Sequence, residues 1–147
     1  MTNMLLHGLM SFIGTMGFSI IFNVPRRELL VCGLAGAAAW LVYQVTLQIS
    51  PDAVVVATLL GAMTVTYISR IASYIRHMPV TIYMIPGVIP LVPGAGIYYT
   101  MFNAVMGYND QALLLGFETL RTAGVIAVGL LIVLSLPRKM FTFYRGA

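Results

Sequence analysis

Long apolar runs separated by short polar breaks dominate the pattern of this chain. Five runs reach the length of about 20 residues that a helix needs to cross a hydrocarbon core about 30 Å thick. The breaks contain proline, glycine or charged residues, which end membrane spans or lie at the interface. The pattern therefore predicts an all-α integral membrane protein with one transmembrane domain over residues 1–147. Its five helices are expected near residues 5–24, 29–49, 53–71, 79–106 and 112–136.

Composition excludes a water-soluble globule. Hydrophobic residues make up 60% of the chain and charged residues only 8%, whereas an ordinary soluble domain has about 25% charged residues. Because Met1 to Met4 includes no basic residue, the first run is expected to be a retained span and not a cleaved signal peptide. The single cysteine, Cys32, excludes an intrachain disulfide and is expected to be a buried packing residue.

The basic residues gather on one side of the predicted bundle. Only Arg121 lies deep inside a run. The other seven lie at or just after the ends of the first, third and fifth runs, and they are Arg26, Arg27, Arg70, Arg76, Arg138, Lys139 and Arg145. The opposite side carries Asp52 and Asp110. The positive-inside rule then predicts an outside N terminus and a cytoplasmic C terminus. It also explains the net charge of +4, so nucleic acid is not an expected partner and the lipid bilayer is.

The fourth run contains IPGVIPLVPGAG at residues 85–96, with three prolines and three glycines. These residues predict non-helical backbone over residues 86–96 between short helices at 81–85 and 96–106. Such backbone survives inside a membrane only when it is buried in protein or lines a watery cavity. The two half-helix ends would attract a cation and an anion, which suits a zwitterionic amino acid. The alternative is a kink that only shapes the bundle.

The break and the residues after it supply the first candidate substrate-binding positions. The glycines are expected to allow close backbone approach, so leucine at Gly94 should block transport without preventing insertion. Tyr99 and Asn103 follow the break and would line the same cavity. The candidates in the break are Pro86, Gly87, Pro90, Pro93, Gly94 and Gly96.

The fifth run carries GFETLRTAG at residues 116–124, which places Glu118 and Arg121 three residues apart on one helix face. Arg121 lies about 14 Å deep at 1.5 Å per residue, where a charge costs about 3 kcal/mol on insertion scales. One interpretation is that the two charges neutralise each other or anchor a neighbouring subunit. The other is that Arg121 binds a substrate carboxylate, while Glu118 holds an ammonium or carries a proton and Thr122 adds a polar neighbour.

The remaining chemistry in the sequence is sparse. His7 and His77 are expected near opposite surfaces, and neither has a catalytic partner in the sequence. We find no metal-ligand cluster, phosphate-binding loop or nucleophile motif, so neither enzymatic activity nor a cofactor is expected.

Two segments resemble the threonine/serine exporter family, specifically its small YjjB-like subunit. They are GFSIIFNVPRREL at residues 17–29 and MPVTIYMIPGVIPLVPGAG at residues 78–96, with IYYT behind the second. The resemblance implies the second membrane half of an exporter in the bacterial inner membrane, acting with a larger membrane subunit in a hetero-oligomer. It also implies threonine and serine as substrates, or succinate for the split YjjP/YjjB-type pair.

Two other classes of function compete with a secondary exporter. A homo-oligomeric channel would conduct passively, and a membrane assembly factor would move nothing. Because no nucleotide-binding motif occurs in the sequence, the proton gradient is the expected energy source of an exporter.

Overall fold

The computed structural model describes residues 2–137, with side chains from Met4 onward. The predicted cytoplasmic residues Arg138, Lys139 and Arg145 lie outside the described residues. Six α-helices and two short 3-10 turns, at Arg26–Glu28 and Ile89–Leu91, make up the described fold. The helices are α1 (Thr2–Ile21), α2 (Leu29–Ile49), α3 (Val54–Arg76), α4 (Thr81–Val88), α5 (Gly94–Val105) and α6 (Asn109–Ser135).

The all-α membrane fold is confirmed. The helices α1, α2, α3 and α6 are each long and apolar enough to cross a membrane. Thr81–Leu91 and Gly94–Val105 form a bent pair that meets at an angle of 57°, and this pair is a fifth candidate crossing when its two parts are taken as one span. The interruption of the fourth span that the sequence predicts is therefore present as a sharp bend.

Two helix ends differ from the sequence prediction for a visible backbone reason. α1 stops at Ile21 and does not reach residue 24, because Asn23 adopts the left-handed conformation with φ 54°. α3 continues past residue 71 to Arg76 and ends where His77 adopts the same conformation. Asparagine and histidine are enriched in this conformation, which stops a helix. Arg70 consequently lies inside α3 and not after it.

The bundle is built around α2 and α3. α1 and α3 pack on α2, α6 packs on α3, and α4 lies against both α2 and α3, whereas α5 packs on α6. Small side chains at the centre let these helices approach closely, as is usual in membrane bundles. The central buried cluster consists of Ala35, Ala39, Ala62, Val65, Leu91 and Ile126.

The predicted extent of the break was wrong. Residues 86–96 were expected to be non-helical, but α4 continues through Pro86 and Gly87, a 3-10 turn follows, and α5 starts at Gly94. Only Val92 and Pro93 separate the turn from α5. The bend thus comes from a two-residue interruption.

The prolines of the motif lie where a missing N–H does little damage. Pro86 cannot donate to the carbonyl of Ile82, one turn earlier, but the Cys32 Sγ–H from α2 donates to that oxygen at 3.4 Å. Pro90 lies in the first positions of the 3-10 turn and Pro93 just before α5, where a backbone N–H has no partner inside the helix. This is why the motif forms helices where the sequence predicted open backbone.

Candidate functional site

The first half of the broken span lies inside the bundle. Tyr83, Pro86 and Gly87 of α4 are buried. A Cβ added at Gly87 would lie 2.5 Å from Val65 Cγ2 and 3.7 Å from Ala35 Cβ, so α4 fits between α2 and α3 only because this residue has no side chain. Burial in protein is the condition under which a bend can exist at membrane depth.

The second half of the broken span lies at the edge of the bundle. α5 buries none of its residues within the described chain and packs against α6. At this contact Gly96 lies against Thr119, and a Cβ at Gly116 would be 3.3 Å from Thr100 Cγ2. Its outer face exposes large side chains, which include Ile97, Tyr98, Tyr99, Met101, Phe102 and Val105.

Two candidate polar residues lie together on α5. The Asn103 side chain donates from Nδ2 to the backbone oxygen of Tyr99 at 2.8 Å. Tyr99 is 52% exposed, so this patch faces the surroundings of the chain and not its core.

No other part of the described chain approaches the backbone closely at Gly94, so close approach by a substrate or a partner stays a prediction there. A Cβ added at Gly94 would meet no atom within 4 Å in the described structure. The tight positions of the motif are Gly87 and Gly96, which face α3 and α6. Gly94 begins α5 at its open end, where the backbone is exposed.

Glu118 and Arg121 are both exposed on α6. No ion pair joins them in the described part of the chain, so mutual neutralisation is not what the structure shows. The backbone oxygen of Glu118, and not its carboxylate, accepts the hydrogen bond from Thr122 Oγ1 at 2.9 Å. Two charged side chains in a membrane-spanning helix therefore face outward from this chain.

The depth and direction of Arg121 follow from its neighbour Thr119. Because Thr119 lies against Gly96, Arg121 is at the level of the start of α5. Each helical residue turns by about 100°, so Arg121 points about 200° away from Thr119. The structure therefore brings Thr119, and not Arg121, to the broken span.

Sequence reasoning missed a buried polar cluster at the basic end of the bundle. Glu28 is only 6% exposed. Its Oε1 accepts from Arg76 Nη1 at 3.2 Å, and its Oε2 accepts from the Tyr83 hydroxyl at 2.7 Å. The signal in the sequence was an acidic residue directly after two arginines at a span end. Its partners lie 48 and 55 residues away, so no local spacing pointed to them.

Arg70 also has a structural task at this end. Its Nη1 donates to the backbone oxygens of Val133, Leu134 and Leu136 at 2.6, 3.2 and 2.8 Å. A cation at the carbonyl end of a helix is favourable because it satisfies unpaired oxygens and opposes the helix dipole. The guanidinium thus ties α3 to the end of α6, beside a cavity of about 530 Å³ lined by Ser73, Tyr74, His77 and Pro79 among others.

A family model described as "Threonine/Serine exporter, ThrE" matches residues 7–136. The matched range contains both segments that carried the resemblance, the bent span and the Glu28 cluster, so the family prediction is confirmed. No solved structure matches the chain.

Proposed function

Because the chain belongs to the threonine/serine exporter family, we propose that it is the membrane subunit of a secondary exporter of small organic acids. The first-choice substrates are threonine and serine. The observation that carries this proposal is the bent fourth span, whose first half is wedged between α2 and α3 and whose second half starts with exposed backbone. Interrupted helices at membrane depth recur at the substrate sites of secondary transporters.

The proposed carrier acts with a larger membrane subunit of the same family. Support comes from the outward face of α6, where Leu114, Phe117 and Leu120 are each about 70% exposed around the charges of Glu118 and Arg121. A charge at this depth that faced lipid alone would cost several kcal/mol. A neighbouring membrane subunit that covers this face relieves the cost, and it makes the working unit a hetero-oligomer.

The proposed substrate site lies at the junction between the two subunits. Arg121 would bind the substrate carboxylate through its planar fork. Glu118, one turn away, would hold the ammonium group or carry a coupled proton. The bent span, with Tyr99 and Asn103 behind it, lies at the same depth against a different face of α6 and would form a separate part of the path. The proton gradient would drive export.

Succinate is the second candidate substrate. Arg121 and the exposed amino-terminal end of α5 each favour a carboxylate, and they lie at one depth on different faces of α6. Two separated carboxylate-binding elements along one path offer a site for each carboxylate of a dicarboxylate, whereas an amino acid has one carboxylate.

Transport by the two-subunit complex tests this function. The chain is purified with its larger membrane partner and reconstituted in sealed vesicles, and the uptake of labelled threonine, serine and succinate is compared. We expect threonine and serine uptake that the unlabelled amino acids inhibit. Uptake of succinate alone would select the alternative substrate, and no flux from a folded complex would contradict an exporter.

The proposed orientation places the N terminus outside the cell and the C terminus in the cytoplasm. We expect Thr2→Cys to react with an impermeant thiol reagent in intact cells. Gly146→Cys should react only after the membrane is opened. The unchanged chain is the control, because its native Cys32 is buried. Labelling of both introduced cysteines from the same side would refute five crossings.

A further inference from the structure

We propose that Glu28 is a positioning residue that anchors the first half of the broken span and so sets the geometry of the transport site. The inference rests on the proposed transport function, but the anchor itself has a separate structural readout. We call Glu28 and its two partners, Arg76 and Tyr83, the Glu28 anchor.

The Glu28 anchor joins three elements at one carboxylate. Glu28 stands directly before α2, Arg76 is the last residue of α3, and Tyr83 lies in the first turn of α4. Each carboxylate oxygen accepts one hydrogen bond, at 3.2 Å from Arg76 and 2.7 Å from Tyr83. Hydrogen bonds to a charged group are shorter and stronger than bonds between neutral groups. The carboxylate therefore fixes where α4 enters the bundle.

The Tyr83 contact is the stronger half of the anchor. Tyr83 is completely buried, so without the carboxylate its hydroxyl would have to be satisfied by another group or left unpaired. The Arg76 side chain is 43% exposed, and solvent weakens its attraction to Glu28. Removal of the Tyr83 hydroxyl is consequently expected to have more effect than removal of the Arg76 charge.

A second contact connects the anchor to the bend itself. Cys32, one turn after Glu28 on α2, donates its Sγ–H to the Ile82 carbonyl oxygen at 3.4 Å. This is the oxygen that Pro86 leaves without an N–H partner. The series of contacts that runs from Glu28 through Tyr83 and Ile82 to Pro86 therefore ends where the span begins to bend. If α4 shifts, the exposed start of α5 shifts with it.

A role in positioning and a role in bulk stability predict different kinetics. A loosened site must be ordered again by the substrate, so the apparent KM rises while the maximal rate changes little. Loss of folded protein alone lowers the maximal rate and leaves KM unchanged. Comparing the change in KM with the change in maximal rate therefore distinguishes a positioning role from a stabilising one.

The kinetic test uses Tyr83→Phe in the complete two-subunit complex. We expect the apparent KM to rise about fivefold, with a maximal rate within about twofold of the unchanged complex. Arg76→Gln should raise KM less than Tyr83→Phe does. Arg76→Lys should have nearly the KM of the unchanged complex, because an ammonium can replace the one guanidinium nitrogen that touches Glu28. Tyr43→Phe is the matched control, since its ring stacks on Trp40 and its hydroxyl has no hydrogen-bond partner among the described residues. An unchanged KM in Tyr83→Phe, with or without a lower maximal rate, would overturn the proposal.

The structural test uses Cys32, the one cysteine of the chain, and needs no transport. Cys32 is completely buried under α4. We expect Tyr83→Phe and Glu28→Gln to raise its rate of reaction with N-ethylmaleimide in membrane vesicles at least threefold, while Tyr43→Phe leaves the rate unchanged. Equal rates in a folded Tyr83→Phe protein would overturn the anchor, whether or not the complex transports. If the variants label faster but the unchanged complex transports nothing, the anchor stands and only the proposed transport function is refuted.

Discussion

Leucine at Gly87 is expected to abolish transport by preventing α4 from packing in the bundle. Even the first carbon of a side chain would lie 2.5 Å from Val65 Cγ2 and 3.8 Å from the backbone nitrogen of Gly36. Overpacking a well-filled site typically costs about 1–3 kcal/mol and sometimes more. Since α2 and α3 are each held in place by their other contacts, we expect a loss of stability at or above the upper end of that range.

The Gly87 prediction is checked by the yield and thermal stability of the detergent-solubilised protein. Gly94→Leu is the matched control, because it makes the same change in the same motif where a Cβ meets no described atom within 4 Å. We expect the control to insert and to melt within a few degrees of the unchanged chain. Normal yield and melting of Gly87→Leu would show that α4 is not wedged between α2 and α3.

Lysine at Arg121 is expected to weaken the apparent affinity for substrate by about tenfold while the complex remains assembled. Lysine keeps the charge but loses the two-pronged geometry that matches a carboxylate. Arg27→Lys is the matched control, because Arg27 is an exposed residue of the turn between α1 and α2. The measurement is the substrate concentration that gives half-maximal uptake by the reconstituted complex.

A double variant separates substrate contact from mere charge balance at Arg121. Glu118→Gln with Arg121→Gln removes both charges together. If the two residues only compensate each other, this variant should transport normally at normal expression. That result would end the substrate-contact hypothesis, whereas loss of flux from an assembled complex is the outcome that we expect.

The sequence predicted the architecture well because the membrane imposes strong local rules. Helix number follows from the length of apolar runs, and the bend follows from prolines and glycines within one run. The length of the break could not be predicted from local sequence. Local rules register that Pro86 lacks an N–H, but they contain no information about the distant Cys32 thiol. That thiol lies 50 residues from the Ile82 oxygen that it serves.

The candidate site was predictable only in part for the same reason. Gly87 and Gly94 look alike in the sequence, and only their tertiary neighbours show that one is tightly packed and the other open. Glu28 lies in the polar break between the first two apolar runs, although its carboxylate joins three elements. Glu118 and Arg121 satisfy the spacing for an ion pair, yet in the structure both side chains point outward without forming one.

The most direct test of the central claim is counterflow by the reconstituted two-subunit complex. Vesicles loaded with excess unlabelled threonine are diluted into a trace of labelled threonine, with no membrane potential or proton gradient. A carrier exchanges unlabelled threonine from inside for labelled threonine from outside. We therefore predict that the label accumulates transiently above its outside concentration and that uptake saturates. Label that only equilibrates, at a rate linear in concentration, would contradict a carrier and indicate a channel.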